Sequence, residues 1–240
     1  MRNMLVILGV VAAVAVVGFA VYEKFGQPVA VTTASAPTPA GAPAASTAGR
    51  PQSTPIPAAA GDRLSFVVKP DDMVLGSPDA KVTMVEYASL TCPHCANFHI
   101  NTLPGLKRDY IDKGLVKLVY RDFPLDGLAL RASMMAQCSG PDRYFGFLEL
   151  LFGRQVQWAT AKDPLEGLAA IGKIGGMTDE EFKACLTDKT VEQTVLSEAL
   201  EGEKTYAVRA TPTLFIDGLR YSAMSFEQLR AILDPILASK

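Results

Sequence analysis

Residues 82–95 read VTMVEYASLTCPHC, and the change of pattern inside that stretch decides the architecture. Val82 to Ala88 is a short β-branched run that ends at a turn, which predicts a buried strand. Cys92-Pro93-His94-Cys95 then reads as a helix start, with Cys92 at N-cap, Pro93 at N1 and Cys95 at N3. Orphan backbone N–H groups and the positive end of the helix dipole favour an anion there. Cys92 is therefore the candidate thiolate, in a setting that lowers a thiol pKa from about 8.5 into roughly the 3.5–7.5 range. His94 is expected to add charge when protonated and to donate a hydrogen bond to the sulfur. Cys95, one turn into the helix, is expected to be buried and to act as the resolving thiol. The lower the pKa of Cys92, the more the reduced dithiol is stabilised and the more readily the disulfide oxidises a partner. A plain structural Cys-x-x-Cys disulfide and half a zinc site are the competing readings. Zinc needs a second pair at ligand spacing, and Cys138 and Cys185 stand alone, 47 positions apart. The spacing favours redox chemistry, with no metal and no cofactor.

Downstream, a helix is expected from Cys92 to about Asp112, bent or broken by Pro104 and closed by Gly114. Leu115 to Tyr120 (LVKLVY) reads as the next strand. Strand, helix and strand in so few residues make a βαβ unit with parallel strands and a right-handed crossover. A helical stretch follows. Leu128 to Cys138 is stopped by Gly140-Pro141, and Arg143 to Gly153 is a second helix. Asp163-Pro164-Leu165-Glu166 is a good helix start, Thr178 to Glu181 is a capping box, and Thr190 to Tyr206 continues as helix. Strands return at Thr213 to Ile216 and Leu219 to Tyr221, joined through Asp217-Gly218 as a type I′ hairpin. Ser225 and Gln228 cap a last helix whose Phe226, Leu229, Ile232, Leu233, Ile236 and Leu237 share a face. Pro235 is expected to shorten or kink it. The fold class is α/β, a sandwich around one mixed sheet.

At these residues the sequence resembles the DsbA family of exported thiol–disulfide oxidoreductases, in the thioredoxin superfamily, from about Met73 to the C-terminus. Glu86-Tyr87 before Cys-Pro-His-Cys and Thr211-Pro212-Thr213 carry the likeness with the motif itself. The resemblance implies a thioredoxin fold divided by a helical insertion at about 128–206. It implies a cis bond at Thr211-Pro212, packed beside the active-site sulfurs and offering backbone groups to an extended substrate. It also implies that Glu86, six residues before Cys92, is the family's buried acid, which assists proton transfer from the resolving thiol; an exposed strand carboxylate is the competing reading. Thr211 departs from the best-known members, which carry an aliphatic residue there, and is similar instead to isomerase-type relatives.

The other chemistry-bearing residues read more plainly. Cys138 and Cys185 are either a structural disulfide across the helical subdomain, in an oxidising compartment, or two buried free thiols. His99 reads as structural. Trp158, Tyr144, Phe145 and Phe147 read as core or groove packing.

The overall composition, net charge −2, 49% hydrophobic and mean hydropathy +0.18, averages three unlike parts. Met4 to Tyr22 is free of charge, and as a helix it reaches about 28 Å, close to the roughly 30 Å of bilayer hydrocarbon. Arg2 precedes it and Glu23-Lys24 cancel behind it, a bias that keeps the N-terminus inside. An uncleaved anchor and a cleaved signal peptide over 1–26 both export the remainder. Residues 27–61 are almost entirely Ala, Pro, Thr, Ser and Gly with Arg50 the only charge, a linker expected to stay disordered and to span roughly 30–35 Å. Residues 62–240 carry 20 basic and 24 acidic side chains, an ordinary acidic domain large enough for one core. No basic stripe for nucleic acid is present.

The expectation is a protein dithiol–disulfide oxidase on the periplasmic or exterior face, tethered to the cytoplasmic membrane. Its substrates are exported proteins with thiols, and a membrane-embedded redox partner reoxidises it. A disulfide isomerase or reductase of the same fold is the first alternative. A copper-handling thiol protein is the second, although the Met-rich or His-rich tract it calls for is missing.

Overall fold

A computed structural model of the chain describes residues 63–240. The anchor or signal segment and the linker lie outside the described residues, and among those described no helix is long and apolar enough to cross a membrane.

The strand expected at the head of the quoted stretch is β2 (Val82–Ala88), the centre of a five-stranded sheet. Its parallel neighbour is β3 (Val116–Asp122), with Glu86 opposite Tyr120. On the other side runs β4 (Thr213–Ile216), antiparallel, with Glu86 opposite Leu214. The outer strands are β5 (Leu219–Ser222) and β1 (Met73–Leu75), giving the order β1-β3-β2-β4-β5. β1 is three residues long and pairs antiparallel with β3; so short a run carries no alternation, and the sequence reading omitted it. Alternate residues of β2 serve opposite faces. Val82 and Met84 pack with Leu118, Leu214 and the helices of one face, whereas Val85 and Tyr87 pack with Val119, Val208 and Phe215 on the other. Glu86 falls on the Met84 face, beneath the helix that starts at Cys92.

The helix expected from Cys92 to Asp112 is three pieces. α1 (Pro93–Asn101) starts at Cys92 with Pro93 at N1 and ends at Thr102, whose hydroxyl donates to the Met224 carbonyl at 2.9 Å. α2 (Leu103–Leu106) has Pro104 in its first turn, where the missing N–H does least harm, and one turn of π-helix, Lys107–Ile111, completes the path. Gly114 at φ +68° then reverses the chain into β3.

The insertion runs from α3 (Gly127–Cys138) to α8 (Lys189–Lys204). Asp126, outside the sequence reading, caps α3 by accepting from the Ala129 N–H. Gly140-Pro141 does more than stop that helix: Pro141 is N1 of α4 (Pro141–Gly153), which therefore begins two residues before the expected Arg143. A short helix that was not anticipated, α5 (Gln155–Ala159), follows. α6 (Pro164–Ile174) is capped by Asp163 and α7 (Asp179–Thr187) by the Thr178–Glu181 box, both as read. α8 starts one residue before the expected Thr190, because Asp188 accepts from the N–H groups of Thr190 and Val191, and it stops at Lys204 rather than Tyr206. Trp158, Tyr144 and Phe147 are buried in the core of the insertion, and the indole N–H of Trp158 donates to the Leu151 carbonyl at 2.8 Å. Phe145 is half-buried at its edge. Cys138 and Cys185 are joined in a disulfide with Cα atoms 6.1 Å apart, tying the end of α3 to α7.

Asp217 and Gly218 both have positive φ, +49° and +82°, as the type I′ turn between β4 and β5 requires. The last helix, α9 (Phe226–Ala238), buries Leu229 and Leu233 and packs the rest of its apolar face on the Val82–Met84 side of the sheet. Pro235 stands inside α9 without ending it.

Candidate active site

β2 delivers the chain to the N-terminus of α1, and the turn Ser89–Thr91 sets Cys92 in an extended conformation at the N-cap. Cys92 keeps 6% of its surface and Cys95 none, so only the first sulfur can meet a large partner. Both are free thiols. Cys92 is held at about pKa 5, first by a hydrogen bond from the Cys95 thiol. Burial opposes this, while the Thr211 side chain and the backbone N–H groups of Cys95 and His94 assist it. Cys95 moves the opposite way: burial pushes its thiol far up, the bond to Cys92 adds to this, and the charge of Glu86 adds again. Two thiols one helical turn apart are thus made unequal, one an accessible thiolate and the other a sealed thiol.

Thr211-Pro212 is a cis peptide bond, and the Cys92 thiol donates to the Thr211 carbonyl at 3.4 Å. The Thr211 hydroxyl is buried and has no hydrogen-bond partner, which leaves it free to donate to a thiolate at Cys92. The loop before β4 and the start of α1 therefore meet at one sulfur. The ring of His94 is exposed and makes no hydrogen bond among the described residues. The expected ring-to-sulfur bond is absent; His94 contributes its backbone N–H instead, because at N2 a side chain projects outward while the N–H points along the helix axis.

Glu86 has no exposed surface and pairs with His99, whose Nε2 lies 3.1 and 3.0 Å from the two carboxylate oxygens. It is not an exposed strand carboxylate. His99, read from sequence as structural only, is this carboxylate's partner. A third contribution comes from the insertion: the Gln155 amide donates to the carbonyls of Leu90 at 2.7 Å and Cys92 at 3.0 Å.

The family model for thioredoxin matches residues 68–235. A protein-disulfide oxidoreductase of Rickettsia bellii is 34% identical over 173 residues, 72% of this chain and 67% of the relative. Disulfide bond formation protein D of Bacillus subtilis is 29% identical over 180 residues, 70% of this chain and 78% of the relative. The crystal structure of Wolbachia pipientis alpha-DsbA1 superposes with a TM-score of 0.68 at 28% identity, covering 72% of this chain and 94% of that one. The chain belongs to the DsbA-type thioredoxins. It is by class a protein dithiol–disulfide oxidoreductase. It spans 63 to 67% of the length of the rickettsial relatives.

In this DsbA-type chain the insertion adds surface as well as support. A groove of about 870 Å³ runs between α1, α2 and α4, lined by Ile100, Leu103, Phe145, Leu148, Phe152 and His99. A smaller hollow of about 320 Å³ lies between Pro93, Ala96, Ile100 and Val156. Ile100 and Val156 are 49% and 73% exposed, apolar side chains left at the rim of the active site. Among the described residues no three of His, Cys, Asp and Glu are grouped to hold a metal ion.

Of the site residues missed in the sequence, His99 was within reach. It lies four positions after Cys95, on the same face of α1, and a histidine on a buried face calls for a partner. Gln155 left no local signal, since what it binds is 63 and 65 residues away.

Proposed function

We propose that this DsbA-type enzyme works as an exported oxidase that donates the Cys92–Cys95 disulfide to substrate proteins. The observation that carries this reading is the opposed state of the two thiols, with Cys92 at about pKa 5 and Cys95 far above its ordinary range. A thiolate stabilised to that extent makes the reduced dithiol the favoured state and the disulfide an oxidant. A substrate thiolate attacks Cys92, the bond to Cys95 breaks, and a second substrate thiol resolves the mixed disulfide. Thr211 and Pro212 present backbone to the extended substrate, and Glu86 serves the proton traffic of Cys95. His94 acts through its backbone N–H. The substrates are thiol-bearing exported proteins, and a membrane-embedded redox partner restores the disulfide. The site faces the periplasm or the cell exterior, and the apolar segment and linker of 1–61 tether it to the membrane.

A redox titration of the full chain against glutathione tests the direction of exchange, with the thiolate absorbance of Cys92 followed against pH. An oxidase gives a potential well above the roughly −270 mV of thioredoxin and a thiolate that persists down to about pH 5. A potential near −270 mV, or a Cys92 pKa close to 8, would overturn it in favour of a reductase or isomerase, the direction suggested by Thr211 before Pro212.

A further inference from the structure

Glu86 and Cys95 are both sealed, yet exchange at Cys92 requires a proton to reach and leave Cys95. His99 is the side chain paired with Glu86. It stands one turn after Cys95 on α1, and its Nε2 is 3.0 Å from Glu86. Phe152 of α4 stacks on its ring at 4.1 Å between centroids, and Tyr120 of β3 meets it edge-on at 5.8 Å. The titratable groups facing the ring are Glu86 from β2, Tyr120 from β3 and Cys95 from α1 itself. α4 presents the apolar Phe152, with Glu149, Arg154 and Lys107 farther along the groove. His99 is among the residues lining that groove and keeps 8% of its surface, whereas Glu86 touches no solvent.

Building on the oxidase reading above, we infer that Glu86 and His99 together hold the proton of the resolving thiol, with His99 a positioning residue that links Glu86 to the water of the α1–α4 groove. In the oxidising step a substrate thiolate attacks the Cys92 sulfur. A new S–S bond joins substrate to Cys92, and the old bond breaks with both electrons going to Cys95. The Cys95 sulfur is reduced and the substrate sulfur oxidised. The thiolate left on Cys95 is disfavoured by burial and by a charged Glu86, and it takes a proton from the Glu86–His99 pair. The pair refills from water at the His99 edge. Reoxidation sends the same proton out by the same path.

Rapid-quench kinetics of the oxidised full chain with a dithiol peptide, from pH 5 to 9, test this with His99→Gln and His99→Leu. Gln keeps a hydrogen bond to Glu86, donated by its amide, but neither gains nor gives up a proton between pH 5 and 9, and Leu keeps neither property. Both variants are expected to lose about 100-fold in the attack step at neutral pH, the lower end of general-acid contributions. Both should also show a rate, corrected for peptide thiolate, that climbs toward acid as Cys95 draws protons from bulk water. If H99Q restores the wild-type rate and profile, His99 is only a spacer and the inference falls. On the wild-type chain, where folding is not in question, the attack step should slow about twofold in D2O; no isotope effect would also overturn it. A chain that reduces the peptide's disulfide instead of forming it sinks the oxidase reading alone. The relay would still be supported there, by an equal loss in H99Q on the reverse step, because a proton path serves both directions.

Discussion

Adjacent parallel strands each bury one carboxylate, and the two are treated in opposite ways. Asp122, the last residue of β3, accepts from Ser133 at 2.5 Å, Gln137 at 3.0 Å and Tyr144 at 3.1 Å. All three donors come from the insertion, and all are neutral. Its own backbone N–H donates to Glu198 of α8 at 2.8 Å. Glu86, in the neighbouring strand β2, has the imidazole of His99 on α1 as its hydrogen-bond partner. Equal burial thus yields a fastening to the insertion in one place and a pairing with the thiol-bearing helix in the other. What separates them is where the partners come from. Asp122 joins the insertion to the sheet, and Glu86 pairs with the helix that carries the two thiols.

The largest effect expected from this contrast is on stability. Asp122→Ala leaves two buried donors, Ser133 and Tyr144, and the half-buried Gln137 unsatisfied and should cost about 3–5 kcal/mol, lowering the thermal midpoint by roughly 10 °C while the potential of the dithiol stays put. Glu86→Gln should do the reverse, changing stability by about 1 kcal/mol and slowing exchange. Equal thermal losses in the two variants would erase the distinction. Next comes the insertion's own staple. Cys138→Ser with Cys185→Ser opens a loop of 47 residues and should cost about 2–4 kcal/mol without altering turnover; lost activity in a folded protein would mean the insertion's integrity is part of catalysis.

Two smaller effects depend on pH. The lowered pKa of Cys92 contributes stability to the reduced form that is complete above the unfolded thiol value of about 8.5 and is lost as pH falls through about 5. The gap between reduced and oxidised thermal midpoints should therefore close between pH 8 and 4, and a gap independent of pH would contradict the thiolate assignment. On the Asp122 side the sign is opposite. Burial, with the charge of Asp122 behind it, raises Glu198 to about 8, so what Glu198 contributes is present below about pH 4.5 and fades as pH rises through 8. Glu198→Gln should stabilise the fold at pH 9 and change little at pH 5, as thermal melts at the two values would register. Smallest of all is His94→Ala. Cys92 should still titrate near 5, because the contact with the sulfur is a backbone N–H; a rise toward 7 would mean that the ring acts after all.

The same contrast explains what could be read from sequence. Strands β2 and β3, the caps at Asp163, Thr178 and Ser225, and the Asp217-Gly218 turn are written in local periodicity and local chemistry. The Cys92-Pro93-His94-Cys95 helix start is equally local. The boundaries that slipped lie at proline and at the two ends of α8. Pro104 and Pro141 are as compatible with a helix beginning as with one ending, and which holds depends on contacts distant in sequence, such as that of the Thr102 hydroxyl with the Met224 carbonyl. β1 was invisible because three residues gain strand character only from the β3 edge they join. Glu86 was visible as a residue, but its burial was implied only by the family resemblance and not by local pattern, since it depends on α1 lying over it. Cys138 and Cys185 announced two cysteines, and only the packing of α3 on α7 decided that they meet.

The two hydrogen bonds from Gln155 bear on how separable the parts of such an enzyme are. An amide from the insertion closes on the carbonyls of Leu90 and Cys92, so the helical segment finishes the redox loop rather than riding beside it. Transplanting Cys-Pro-His-Cys into a thioredoxin that lacks the insertion carries over the thiols and the helix start but leaves those two carbonyls to water. A modular swap should thus include α5 with the motif, and the smallest portable unit of this active site is discontinuous in the chain.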